Sequence, residues 1–129
     1  MALVSKQPIG VSINADSDDF NYYASGVLTD TTYGFSSNGT ANAMTDTDHA
    51  VTLVGYSVNN QTKGCNGYWI VKNSWSTDWG EYGFFRVCMT NDKTFPMGVY
   101  NILSCVALPD VGLLGANKTS LIMSGVWLL

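Results

Sequence analysis

The side chain best suited to acid–base chemistry is His49, the single histidine of the chain. Asp46 and Asp48 precede it, and a run rich in β-branched residues follows it. An imidazole exchanges protons near neutral pH, so it can serve as a general base or pair with an anionic nucleophile. A lone histidine also fits a surface or structural role. The residue type by itself leaves both interpretations open.

A second polar residue, Asn73, lies within a cluster of three tryptophans, Trp69, Trp75 and Trp79. An indole needs a partner for its N–H and favours places where one side is apolar and the other is hydrated. An isolated asparagine usually lies in a turn or at a strand edge. The cluster therefore predicts either a packed hairpin or an aromatic lid over a polar site.

The cysteines offer little basis for metal chemistry. Cys65, Cys88 and Cys105 permit at most one intramolecular disulfide, because their number is odd. Their spacing fits no zinc-site template, and one histidine does not complete such a site. We therefore expect neither a metal nor a cofactor.

Composition narrows the class of protein further. The chain has 129 residues, about one domain, with 46% apolar and 12% charged residues, which is typical of a globular protein. The net charge is −4 and no basic cluster occurs, so nucleic acid is not an expected partner. The apolar stretch 113–129 is interrupted by polar residues and falls short of the ~20 residues that a membrane span needs. No membrane span is expected.

Strands must position most of these residues. Alternation of apolar and polar residues, together with runs of β-branched residues, predicts an antiparallel sheet or barrel with little helix. One short helix is expected at residues 20–23, capped by an aspartate or serine. The predicted strands are 9–13, 49–56, 68–74 and 83–88, a further strand could lie within 99–108, and 29–47 is expected to be a loop.

In order and spacing, these segments resemble the papain-like (cathepsin-like) cysteine peptidases. The resemblance covers residues 7 to about 110, whereas the apolar tail 111–129 matches nothing in the family. It implies the β half of an α+β peptidase fold. The matching pieces are Gln7-Pro8-Ile9-Gly10-Val11, Ala15, Phe20, Tyr23-Ala24-Ser25-Gly26-Val27, Asp48-His49-Ala50-Val51, Val54-Gly55-Tyr56, Tyr68-Trp69-Ile70-Val71-Lys72-Asn73-Ser74-Trp75, Trp79-Gly80-Glu81 and Gly83-Phe84-Phe85-Arg86-Val87, with a weaker match from Gly98-Val99 to Pro109.

The resemblance implies a role for each candidate site residue. His49 would be the catalytic histidine that pairs with a cysteine thiolate and protonates the leaving amine. Asn73 would accept a hydrogen bond from the imidazole and fix its orientation. Trp75 would shield that hydrogen bond from water. Asp48 and Ala50 would lie at the cleft wall, with Ser12 near the second specificity pocket.

The family's nucleophile lies in the other, helical half of the domain, in a Gln…Cys-Gly-Ser-Cys-Trp-type segment that this sequence lacks. Residues 1–110 are therefore interpreted as the C-terminal half of a peptidase domain, inactive without a nucleophile-bearing half. Peptide or protein would be the substrate of the assembled enzyme. The alternative is a non-catalytic remnant of the fold that binds peptides or a peptidase.

Disulfides and location also differ from the family pattern. Two cysteines found in many relatives are absent here, where the sequence has 42–44 (Asn-Ala-Met) and Tyr100. Cys65 and Cys88 bracket a predicted hairpin and are a candidate bridge, although sequence alone does not show that their Cα atoms come within reach. The resemblance implies a lysosome-like vesicle or secretion for a full-length enzyme. Residues 1–8 show no signal peptide, so this chain is assigned no location.

Overall fold

The backbone forms a single sheet of six strands. The computed structural model describes residues 3–29, 47–58, 62–91 and 97–108. The strands lie in the order β2-β5-β4-β3-β1-β6, and all neighbours are antiparallel except β2 and β5. The prediction of a mainly antiparallel β fold with one short helix is confirmed. The tail 111–129 lies outside the described residues. The strands are β1 (Ile9–Ile13), β2 (Val27–Leu28), β3 (His49–Ser57), β4 (Gly67–Lys72), β5 (Phe84–Met89) and β6 (Val106–Ala107).

Alternation along each strand gives the sheet two different faces. Successive side chains of a strand point to opposite sides, so every second residue can enter the core. The core face carries the buried residues, and the opposite face, called here the open face, carries half-exposed ones. On the core face lie Ile9, Val11, Ile13, Val51, Leu53, Trp69, Val71, Phe85 and Val87.

A short helix, α1 (Asp18–Asn21), packs one residue into this core. The Ser17 hydroxyl oxygen accepts a hydrogen bond from the Phe20 backbone N–H at 3.1 Å, which caps the first turn. Asp18 and Asp19 add negative charge at the same end of the helix. The Phe20 ring is fully buried and carries the packing of this helix.

A bulge in β3 sets which of its residues face the core. Leu53 pairs with Val71 and Gly55 pairs with Ile70, so Val54 is an extra residue in β3. Before the bulge, odd-numbered residues face the core. After it, Tyr56 lies opposite Trp69 on the core face, and their ring centroids are 6.3 Å apart.

The expected strand within 99–108 is much shorter than the sequence pattern allows. A 3₁₀ turn occupies Val99–Asn101, and only Val106–Ala107 pairs as a strand. Tyr100 and Asn101 have φ values of 54° and 57°, and this left-handed backbone cannot continue a strand. The turn still contributes to the core, because Val99 and Tyr100 are buried.

The sulfur chemistry of the described residues is simple. A disulfide joins Cys65, just before β4, to Cys88 in β5, with their Cα atoms 5.5 Å apart. Cys105 is a free, half-exposed thiol. Among the described ranges no group of three or more His, Cys, Asp or Glu residues could hold a metal ion. No helix in those same ranges is long and apolar enough to cross a membrane.

Candidate active site

Two strand ends bring His49 and Asn73 together. His49 begins β3, and Asn73 directly follows β4, its antiparallel neighbour. Both positions fall on the core face. His49 Nε2 and Asn73 Oδ1 are 2.8 Å apart. Pairing of adjacent strands therefore aligns two side chains that are 24 positions apart in the sequence.

A second hydrogen bond fixes the orientation of the Asn73 amide. Its Oδ1 also accepts the Ser74 backbone N–H at 2.8 Å, so the oxygen must lie on the side facing both donors. An amide oxygen only accepts, so His49 Nε2 carries the proton that it donates. The other ring nitrogen, Nδ1, is then free to exchange a proton with a reacting group. Ser74 therefore takes part in defining the imidazole tautomer.

Aromatic rings surround this hydrogen bond. Trp75 lies against the imidazole, with ring centroids 5.1 Å apart and planes inclined by 36°. Phe20 lies beneath both, at 6.1 Å from the His49 ring and 5.3 Å from the Trp75 ring. Asn73 is only 6% exposed, whereas Trp75 is 38% exposed. Because a polar contact is stronger where water is excluded, these rings strengthen the His49–Asn73 bond.

The turn between β4 and β5 holds the tryptophans in place. The Trp79 indole N–H donates to the Asn21 carbonyl oxygen at 3.0 Å, which ties the turn to α1. Gly80 has φ of 61°, and a Cβ there would lie 2.7 Å from the Phe84 carbonyl oxygen and 3.0 Å from the Tyr23 ring. Only glycine permits this close approach.

An ion pair joins the same turn to β5 and to the segment before β2. The Glu81 carboxylate accepts from Arg86 Nε at 2.9 Å and from the Gly26 backbone N–H at 3.0 Å. The Tyr23 hydroxyl donates to the Gly26 carbonyl oxygen at 2.7 Å. The Arg86 hydrogen bonds lower the pKa of Glu81, the same contacts raise the pKa of Arg86, and burial raises the pKa of Tyr23.

The remaining candidate residues lie on both faces of the sheet. The Asp48 carboxylate accepts the Ala15 backbone N–H at 2.8 Å, and its own N–H donates to the Ile13 carbonyl oxygen at 3.0 Å. Asp48 therefore anchors the start of β3 to the end of β1. Ser12 and Ala50 pair across β1 and β3 on the open face, away from the His49 ring. The positions of Asp48 and Ala50 at the cleft wall, and of Ser12 near the second specificity pocket, stay predictions.

Sequence reasoning gave no role to several residues that build the site. Phe20 appeared in the family resemblance only as a matching residue, although its capped helix indicated a fixed position. The backbone N–H of Ser74 and the Glu81–Arg86 pair carried no signal that sequence inspection could find, because both depend on the geometry of the turn.

A depression of about 500 Å³ borders Asn73 on the open face. Two residues at its rim have left-handed backbone without being glycine: Ser76 (φ 73°) and Tyr82 (φ 56°). The Tyr82 side chain is 84% exposed. The depression is lined by Ala50, Val51, Thr52, Lys72, Asn73, Ser74, Ser76, Thr77, Tyr82, Gly83 and Phe84.

Comparison with known proteins identifies relatives of this arrangement. Residues 1–106 match the model of the papain family cysteine protease. Macrodontain-1 from Ananas macrodontes is 40% identical over 111 residues, which cover 86% of this chain and 43% of that protein. Cysteine endopeptidase RepA from Oryza sativa subsp. japonica is 40% identical over 84 residues, covering 65% of this chain and 18% of that protein.

Solved structures agree with the sequence matches. Bromelain from Ananas comosus, in complex with the E64 inhibitor, has a TM-score of 0.61 and 38% identity, with 80% of this chain and 40% of that chain covered. This chain spans less than half the length of each of these relatives. The match of the family model over most of its length shows that the chain belongs to the papain family of cysteine proteases.

Proposed function

We propose that this chain supplies the histidine and asparagine of a papain-like catalytic site and hydrolyses peptide bonds when combined with a nucleophile-bearing half. The observation that carries this proposal is the 2.8 Å contact between His49 Nε2 and Asn73 Oδ1, with the amide held by Ser74. A ring oriented in this way presents Nδ1 to a partner. Burial of Asn73 beside Trp75 supports the same role.

The chemistry assigns each proton a place. A cysteine thiolate from the other half attacks the carbonyl carbon of the peptide bond and forms a carbon–sulfur bond. The carbon–nitrogen bond then breaks, and the leaving amine takes the proton from Nδ1 of the His49 imidazolium. Water next attacks the thioester while Nδ1 accepts its proton, and the thiolate departs. Asn73 holds the ring in one orientation throughout.

None of the described thiols fits the role of nucleophile. Cys65 and Cys88 are joined to each other, and the Cys105 carbonyl oxygen accepts the Ser12 backbone N–H, which places it along β1. The chain alone is therefore proposed to be inactive. Thiol-dependent peptide cleavage by the pure 129-residue chain would contradict this.

The proposal can be tested by joining this chain to the nucleophile-bearing half of bromelain. We expect the joined chain to react covalently with E64 and to hydrolyse a peptide substrate. Replacing His49 by alanine should lower kcat about 10³-fold or more, because the thiolate loses its proton partner. A Cys105→Ser variant is the matched control and should keep both properties, since the label belongs on the other half.

The opposite result points to the second candidate function. A joined chain that folds and binds peptide, but neither reacts with E64 nor loses anything on the His49→Ala change, would be a non-catalytic binding module. Folding is checked independently by near-ultraviolet circular dichroism.

Location is part of the same proposal. Peptidases of the papain family are typically lysosomal, vacuolar or secreted, and a disulfide persists in oxidising compartments. The Cys65–Cys88 bond supports placing this protein in such a compartment. Mass spectrometry of the native protein without reduction should find this bond intact, and free thiols at both positions would contradict the placement.

A further inference from the structure

Hydrogen bonds join the start of α1 and the start of β3 to the same residue, Ala15. The Ala15 backbone N–H donates to the Asp48 carboxylate at 2.8 Å. The Ala15 carbonyl oxygen accepts the Ser17 backbone N–H, also at 2.8 Å. Asp48 directly precedes His49, and Ser17 directly precedes α1. The segment between β1 and α1 is therefore held against the strand that carries the histidine.

The Ser17 side chain fixes the position of Phe20 within this arrangement. Its hydroxyl oxygen accepts the Phe20 backbone N–H at 3.1 Å, and Ser17 is only 5% exposed. The other end of α1 is held by Trp79, whose indole N–H donates to the Asn21 carbonyl oxygen at 3.0 Å. A buried N–H without an acceptor is costly, so removal of the hydroxyl would drive the Phe20 backbone to shift toward another one.

The Phe20 ring is the part of α1 that contacts the candidate active site. Its centroid lies 6.1 Å from the His49 ring and 5.3 Å from the Trp75 ring, and both contacts are T-shaped. Protein interiors are close-packed and transmit small displacements from one side chain to the next. A shift of Phe20 would therefore change the support beneath the imidazole.

We propose that Ser17 is a positioning residue for the His49 imidazole and acts through Phe20, and this rests on the proposed function above. The hydroxyl holds the Phe20 backbone, and the Phe20 ring then keeps His49 Nε2 in line with Asn73 Oδ1. Proton transfer needs this alignment, because a misplacement of about 1 Å can lower a rate about 10²-fold.

The His49 Nε2–H proton reports the alignment in the 129-residue chain itself. His49 is the single histidine, so its imidazole signals in an NMR spectrum belong to one residue. Its hydrogen bond to Asn73 must open before the proton exchanges with water. We expect Ser17→Ala to accelerate this exchange at least about tenfold, because the ring loses its fixed support. Ser17→Thr and Ser17→Asn keep a capping oxygen, and at least one should stay within about threefold of the native rate.

Ile9→Val is the matched control for a loss of stability alone. It shortens a buried side chain at the end of β1 that pairs with Leu53, whereas the other end pairs with His49. Loss of one methylene in a core and loss of a helix cap lower stability by similar amounts, which urea unfolding checks. If Ser17→Ala and Ile9→Val give equal exchange rates, or if neither Ser17→Thr nor Ser17→Asn restores the native rate, Ser17 has no positioning role.

The joined chain described above measures the effect on the reaction. We expect Ser17→Ala to lower kcat about tenfold and to change KM less than about twofold, because the imidazole is misaligned while peptide binding is untouched. Ile9→Val should keep both constants within about twofold of the native values. A kcat for Ser17→Ala equal to that of Ile9→Val would overturn the positioning role.

The two measurements separate this inference from the proposed function. Faster exchange in Ser17→Ala, together with a native joined chain that neither reacts with E64 nor hydrolyses peptide, supports the positioning of His49 and contradicts the catalytic proposal. An active joined chain in which Ser17→Ala behaves like Ile9→Val in both measurements contradicts the positioning role alone.

Discussion

The core side and the open side of the sheet differ in how closely they are packed around Asn73. On the core side, its Oδ1 has two donors and lies within a closed group of aromatic rings around Phe20 and Trp75. On the open side, the depression beside Asn73 is lined mostly by exposed residues of β3, β4 and the β4–β5 turn. The difference teaches that the orientation of His49 is achieved within this chain alone.

Two adjacent phenylalanines of β5 should give the largest difference in stability between the core side and the open side. Phe85 is fully buried against Phe20 and Trp79 on the closed side, whereas Phe84 lines the open depression. Phe85→Ala should lower the free energy of unfolding by about 3–5 kcal/mol, because it leaves a cavity among rings. Phe84→Ala should cost less than about 1.5 kcal/mol. Urea unfolding of both variants measures this, and equal losses would mean that the open side is packed as tightly as the closed one.

The disulfide gives the next largest effect. It closes a loop with a sequence separation of 23 that contains Asn73, Trp75 and the whole β4–β5 turn. Replacing Cys65 and Cys88 together by serine should cost roughly 3 kcal/mol, mainly by freeing the unfolded chain. Cys105→Ser is the matched control, because that thiol is unpaired, and should cost much less. A double variant as stable as the Cys105→Ser control would show that the disulfide does not stabilise the folded protein.

Acid should loosen the attachment of the β4–β5 turn to β5 through Glu81. The pKa of this carboxyl is lowered in the folded protein by Arg86, so its contribution to stability is fully present above pH 4.5, the ordinary value for glutamate. The contribution is lost as the pH falls below that value through the folded pKa. We expect unfolding free energies measured between pH 6 and 3 to fall more steeply for the native chain than for Glu81→Gln. Identical slopes for the two proteins would contradict this role.

The smallest expected effect is a gain in stability on the open side. Ser76→Gly should raise the free energy of unfolding by about 0.5–1 kcal/mol, because glycine adopts its φ of 73° without steric cost. Ser74→Gly is the control and should lower stability, since Ser74 has no left-handed backbone to relieve. Thermal unfolding of the two variants should therefore shift in opposite directions. A lower midpoint for Ser76→Gly would show that this position carries no strain.

Much of the sheet could be predicted because its strands are regular. The alternation of Ile9, Val11 and Ile13 and the β-branched run after His49 required only the two-residue period of a strand. The left-handed residues Tyr100 and Asn101 interrupt the expected strand in 99–108, and no glycine there signals the change. Backbone conformation imposed by packing on ordinary residues is not visible in a sequence.

The site shows a similar division. His49, Asn73 and Trp75 could be identified from their motifs, and the structure brings these three together. The contacts that hold them depend on turn geometry instead: the Ser74 N–H on the Asn73 amide and the Gly26 N–H on Glu81. Local spacing contains no information about bonds of this kind, because they form only after strands and turns have packed. Likewise, only the structure shows the Cα atoms of Cys65 and Cys88 within bonding reach.

Because of the bulge at Val54, β3 has one residue more than its pairing with β4 requires. In a regular strand, loss of one residue turns every side chain beyond it to the opposite face. Deleting Val54 would instead convert the bulge into ordinary pairing, with Leu53 on Val71 and Gly55 on Ile70 as before. His49 and Tyr56 would both stay on the core face. Inserting a residue elsewhere in β3 would instead turn either His49 or Tyr56 to the open face. The strand that carries the histidine can therefore lose one residue more readily than it can gain one.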